Sequence, residues 1–153
     1  MQRREILGVN IAISSYQEVV KRGIAWAAAG ESRAVIFANV HMLMEAHEHA
    51  AFRDHLNAAD LVNPDGVPLV WALRASGERE AKRVYGPDAT QILLAAAEES
   101  SIAVGFYGGD ASTLATLVER VRRRHPGLRI AYAKSPPFRP LSPAEYDEIV
   151  REI

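Results

Sequence analysis

The chain has 153 residues, 48% of them hydrophobic and 24% charged, with a formal net charge of −1. One domain is the natural expectation at this length, and the composition is a globular protein's and excludes disorder. The near-neutral charge gives no general case for nucleic acid as a partner, and the absence of cysteine excludes a disulfide framework or a thiolate metal site.

Met1 to Glu5 leads into only a short apolar run, without the core and cleavage site of a signal peptide. No run approaches the ~20 apolar residues needed to cross a bilayer. A soluble cytoplasmic protein is expected, with docking on a membrane surface left open. Ile6 to Ile13 reads as the first strand. Ser15-Tyr16-Gln17-Glu18 is a capping box that starts a helix, which stops near Gly30. Ala34 to Ala38 is a compact apolar run ending at Asn39, as in a buried parallel strand. His41 to about Ala58 is helical, with a break near His49. Asp60 to Asn63 is a short strand, and Gly66 to about Ala75 is the next helix.

Arg83 to Asp88 is a turn that enters a helix running to about Glu99. Ile102 to Tyr107 is a strand, and Gly108-Gly109-Asp110 is its exit turn. Asp110 or Ser112 caps a helix that runs to His125, and Leu128 to Ala133 is the next strand. Ser142-Pro143-Ala144-Glu145 is a second capping box, with proline at the first helical position. Strands alternating with helices predict an α/β fold, a mostly parallel sheet with helices on both faces. The last element is a helix with no strand after it, so the sheet is expected to lack its C-terminal strand or strands. The edge thus exposed predicts self-association.

Four places could carry chemistry. Asn39 ends a buried strand, where an amide can pair with a sugar hydroxyl or a base, or can cap the following helix. Asp65 sits at the next strand end, before Gly66, which allows a tight turn and a close ligand. Its carboxylate suits a general base that activates a hydroxyl, although from the residues alone a cap on the helix beginning at Gly66 or Val67 is the favoured reading. Arg83 offers the bidentate guanidinium suited to diphosphate, with Asp88 nearby, or it pairs with a carboxylate on the surface. Gly108 and Gly109 precede a helix N-terminus that favours anions, or they form only a tight turn. His41, His47, His49 and His55 lack the i, i+4 pairing of a helical zinc site, and no metal is expected there. The arginines at 120 and 122–124 suit a helix C-terminus, or a face toward anionic lipid.

Taken in order, these residues resemble the bacterial WecG/TagA/CpsF glycosyltransferase family. The resemblance runs through Ala38-Asn39-Val40-His41-Met42, Asn57 to Trp71 with Asp60-Leu61-Val62-Asn63-Pro64-Asp65-Gly66 at its centre, and Arg83-Val84-Tyr85-Gly86-Pro87-Asp88. It continues through Gly105 to Gly109 and His125 to Arg129 as far as Phe138. It implies a single Rossmann-like domain over residues 1–153 and an inverting, metal-independent hexosyltransferase. Such an enzyme moves an N-acetylhexosamine, commonly N-acetylmannosamine, from a UDP donor to a sugar on a polyprenyl diphosphate at the inner face of the plasma membrane. The products serve teichoic acid or surface polysaccharide synthesis.

By the same resemblance Asp65 is the catalytic base, Asn39 lines the pocket and Arg83 steadies diphosphate charge. Gly66, Asp88, Gly108 and Gly109 belong to the substrate-binding set. Phe37 stands where many members have threonine, removing a pocket hydroxyl. The family also continues beyond the last helix here, with a further strand, a Gly-x-Gly-x-Pro-Lys-Gln-Glu-like motif and a basic membrane-docking segment. Weak or no transfer by the chain alone is therefore expected. A non-catalytic binding domain of the same fold is the alternative. A dinucleotide oxidoreductase is disfavoured because no G-x-G-x-x-G follows the first strand.

Overall fold

A computed structural model describes residues 1–153. The elements run β1 (Arg3–Ile6), β2 (Val9–Ala12), α1 (Tyr16–Ala28), β3 (Val35–Ala38), α2 (Val40–Glu48), α3 (Ala50–Ala58), β4 (Leu61–Pro64), α4 (Val67–Ala75), α5 (Gly86–Glu99), β5 (Val104–Tyr107), α6 (Ala111–Arg124), β6 (Ile130–Lys134) and α7 (Pro143–Glu152). This is the expected α/β class. The chain divides into two compact units, Met1–Leu93 and Leu94–Ile153.

In the first unit β3 and β4 pair in parallel, from Val35 with Leu61 to Ala38 with Pro64. β2 lies alongside β4. Successive side chains of a strand point to opposite faces, and the strands here sort their residues accordingly. Ile11, Ala38 and Val62 pack with Leu43, Leu56, Leu69 and Leu73 of α2, α3 and α4. Ala12, Val35, Phe37 and Leu61 pack with Val19 of α1 and Ala89 of α5. Helices therefore cover both faces of the strands in this unit.

The single strand expected from Ile6 to Ile13 is instead a hairpin. β1 pairs antiparallel with β2 around a turn at Leu7 (φ 50°) and Gly8 (φ 82°). Positive φ at both central residues is the turn whose twist suits a hairpin. Leucine seldom adopts that conformation, so the apolar run conceals the turn. The φ of 82° favours glycine at position 8, and an added β-carbon would also stand 2.8 Å from Arg53 Cδ and push that side chain aside.

Both expected capping boxes form, Ser15 with Glu18 and Ser142 with Glu145. The long helical stretch breaks at His49, whose backbone is extended. Asp110, rather than Ser112, caps α6.

The second unit pairs β5 and β6 in parallel, with an irregularity between Val104 and Gly105. Glu98 fixes the turn after α6. Its Oε1 accepts from the Gly127 amide at 2.7 Å, and its Oε2 lies 3.0 Å from Nδ1 of the buried His125. No helix is long and apolar enough to cross a membrane.

Candidate active site at the end of β4

The parallel pairing of β3 and β4 brings two strand ends together. Asn39 follows β3 and Asp65 follows β4, and the Asp65 amide donates to Ala38 O at 2.9 Å. Below them lies Asn63, fully buried in β4. An amide with no access to water must find partners. Ser14 Oγ donates to Asn63 Oδ1 at 2.7 Å, and Asn63 Nδ2 donates to Ile36 O at 3.1 Å. The strand that delivers Asp65 is thus pinned two residues before it.

Asp65 does not cap the helix that follows it. Gly66 is the N-cap of α4, and no side chain bonds to the helix amides there. With φ −87° and ψ 137°, Gly66 holds a backbone any residue adopts, so the tight turn expected at this glycine is absent. The carboxylate turns instead to the segment before α5. Its Oδ2 accepts from the Gly86 amide at 3.2 Å, and its Oδ1 accepts from Arg83 Nη2 at 3.2 Å. Arg83 Nε also donates to the Asp65 carbonyl. Gly86 is the first residue of α5, so Asp65 supplies an anion at that helix N-terminus from a different strand, where the dipole favours one. Each carboxylate oxygen keeps a further acceptor direction, and the side chain is 18% exposed.

Arg83 stacks on the Tyr85 ring, with Cζ 4.2 Å from its centroid. Its Nε and Nη2 bond to Asp65, which leaves the Nη1 edge of a guanidinium whose side chain is 43% exposed. Such an edge can take a phosphate oxygen. Phe37 lies beside Gly86. A β-carbon on Gly86 would stand 3.3 Å from Phe37 Cγ and 3.5 Å from Asp65 Oδ2, so both side chains approach this glycine.

Asn39 is a helix cap, its Oδ1 accepting from the Met42 amide at 3.0 Å. Its NH2 is the part left for a ligand. Asn39 lies beside Gly66, where an added β-carbon would meet Asn39 Cα at 3.7 Å. Asp88, in the first turn of α5, lies 3.4 Å from the Tyr16 hydroxyl. The structure therefore gathers Asn39, Asp65, Gly66, Arg83 and Asp88 within the first unit.

Gly108 and Gly109 belong to the second unit. The Gly108 amide donates to Lys134 O at 3.1 Å, and Gly109 O accepts from Ser135 Oγ. The N-terminus of α6 already holds an anion, Asp110, which accepts from the Thr113 amide and both neighbouring hydroxyls. Those Ser112 and Thr113 donors hold its carboxyl well below the usual carboxylate range. The local geometry is that of a tight turn. Three residues at the Asp65 site escaped sequence reasoning: Tyr16, Asn63 and Gly86. Asn63 alone carried a signal, as a polar residue inside an apolar strand.

The model of the glycosyl transferase WecG/TagA/CpsF family matches residues 4–153. The chain belongs to this family. Among similar proteins is the N-acetylglucosaminyldiphosphoundecaprenol N-acetyl-beta-D-mannosaminyltransferase of Bacillus spizizenii strain W23, 32% identical over 97 residues. That match covers 63% of this chain and 38% of the relative. The protein of the same name from Bacillus subtilis strain 168 is 24% identical over 93 residues, covering 61% of this chain and 36% of the relative. The family resemblance read from the motifs is thus borne out. The matched region spans well under half the length of either relative.

Proposed function

We propose that this WecG/TagA/CpsF family chain transfers an N-acetylhexosamine, of the N-acetylmannosamine type, from a UDP donor to N-acetylglucosamine on a polyprenyl diphosphate. Asp65 carries the reading. It is a carboxylate at a strand end that caps nothing in its own helix and keeps an open face. Asp65 takes the proton of the acceptor hydroxyl as that oxygen attacks the anomeric carbon. The new C–O bond forms as the bond to the UDP oxygen breaks on the opposite side, so the configuration inverts and UDP leaves. Arg83, fixed by Asp65 and Tyr85, offers its outer edge to the diphosphate, and the scheme invokes no metal. Asn39 and Gly66 border the acceptor side. A lipid-linked acceptor places the working protein at a membrane surface.

The test is Asp65→Asn, which keeps shape and an acceptor oxygen but loses the base. UDP-N-acetylmannosamine and an N-acetylglucosaminyl diphosphoprenyl analogue are incubated with enough protein to register slow transfer. The variant is expected to be slower by about 10²- to 10⁴-fold. Undiminished transfer would remove Asp65 from the role. A binding domain without turnover is the second reading, favoured by the engagement of both carboxylate oxygens by Gly86 and Arg83. Binding of the UDP-sugar with no transfer by the unmodified chain would select it.

A further inference from the structure

We propose that Tyr16, the first residue of α1, is a positioning residue of the Asp65 site. Through its hydroxyl it sets where the Arg83–Gly86 segment presents its donors to the Asp65 carboxylate. The inference rests on the reading of Asp65 as the base and extends it to a residue on another element.

Four consecutive residues of the segment are each anchored. The Arg83 guanidinium bonds to Asp65. The Val84 amide donates to Pro64 O at 2.9 Å. The Tyr85 amide donates to the Tyr16 hydroxyl at 3.0 Å. The Gly86 amide donates to Asp65 Oδ2 at 3.2 Å. Three of these anchors lie at the end of β4, and the Tyr16 bond comes from α1. A phenol is suited to it, because one oxygen can accept from Tyr85 and donate its own proton toward Asp88 Oδ2, 3.4 Å away.

The geometry leaves little slack. Both donors reach the Asp65 carboxylate at 3.2 Å, the long end of the N–H···O range. A drift of a few tenths of an ångström would break them. The Tyr85 peptide lies next to the Gly86 amide, and the Tyr85 ring supports Arg83 at 4.2 Å. Releasing that peptide therefore loosens both donors together. Tyr16 bonds to the segment and to Asp88 but not to Asp65 itself, so its effect on the carboxylate is indirect.

The test is Tyr16→Phe in the full chain, which keeps the ring and deletes the two bonds. Amide hydrogen exchange is read by NMR at Tyr85 and Gly86, with Leu73 as the core control. Exchange at Tyr85 and Gly86 is expected to rise about tenfold, with Leu73 unmoved. Unchanged protection at Gly86 would overturn the proposal. In the transfer assay kcat is expected to fall about tenfold while KM for both substrates stays within about twofold. Asp88→Ala, which removes the acceptor of the phenol proton but leaves the bond from the Tyr85 amide, is expected to raise exchange at Gly86 less than Tyr16→Phe does. If Tyr16→Phe transfers at the unmodified rate while Asp65→Asn does not transfer, the Tyr16 proposal falls and the base assignment stands. If Asp65→Asn transfers normally, the base assignment falls, and exchange at Gly86 alone decides for or against Tyr16.

Discussion

Asn63→Ala should destabilise the first unit far more than the loss of a few atoms suggests. The amide is fully buried and makes two bonds, with Ser14 Oγ at 2.7 Å and Ile36 O at 3.1 Å. Each bond contributes about 1 kcal/mol net, and the stranded Ser14 hydroxyl, itself only 8% exposed, adds about 1 kcal/mol or more of uncompensated desolvation. The sum is about 3 kcal/mol. Urea unfolding followed by tryptophan fluorescence measures it directly, because Trp26 and Trp71 both lie in the first unit. Ser14→Ala alone leaves Asn63 Oδ1 without its donor and should lose about 1–2 kcal/mol. The double variant should lose less than the sum of the singles by about 1 kcal/mol, since each single strands the other's group. Strict additivity, or an Asn63→Ala loss below about 1 kcal/mol, would refute the account of Asn63 as the pin beneath Asp65.

Gly86→Ala keeps the amide donor but places a methyl 3.3 Å from Phe37 Cγ and 3.5 Å from Asp65 Oδ2. Transfer should fall several-fold and recover when Phe37→Leu is added, and steady-state rates of the single and double variants check this. Asp110 and Glu145 are both held well below the ordinary carboxylate range, Asp110 by Ser112 and Thr113 and Glu145 by Arg139 and Ser142. Depressed values in the folded state mean that their stabilisation is present above the unfolded values near ~4 and is lost as pH falls further. Helical circular dichroism should therefore decline in acid for the unmodified chain. Asp110→Asn with Glu145→Gln should start less stable at neutral pH and change less toward pH ~2, whereas parallel curves would rule the coupling out.

Local signals in the sequence carried most of the elements. Ser15 with Glu18 and Ser142 with Glu145 are short-range patterns whose chemistry is complete within four residues, and both form. The hairpin at Leu7 and Gly8 was hidden because a leucine occupies a conformation that ordinarily advertises itself with asparagine or glycine. At the site, the residue types and strand ends were legible, but the partnerships were not. Asp65 meets donors 18 and 21 residues onward. Its separation from a cap role depends on how α5 approaches β4. Tyr16 read only as a member of a capping box, since nothing near it in sequence announces a bond to position 85.

The donor at Gly86 is part of the main chain. No side-chain exchange at that position deletes it, short of proline. Gly86→Ala therefore reports the crowding of its methyl against Phe37, not the loss of the amide bond to Asp65. An alanine scan would measure the share of Arg83 and leave the share of the amide unmeasured. Replacing the Gly86 amide with an ester, by chemical or codon-expanded synthesis, is the substitution that would expose the rest.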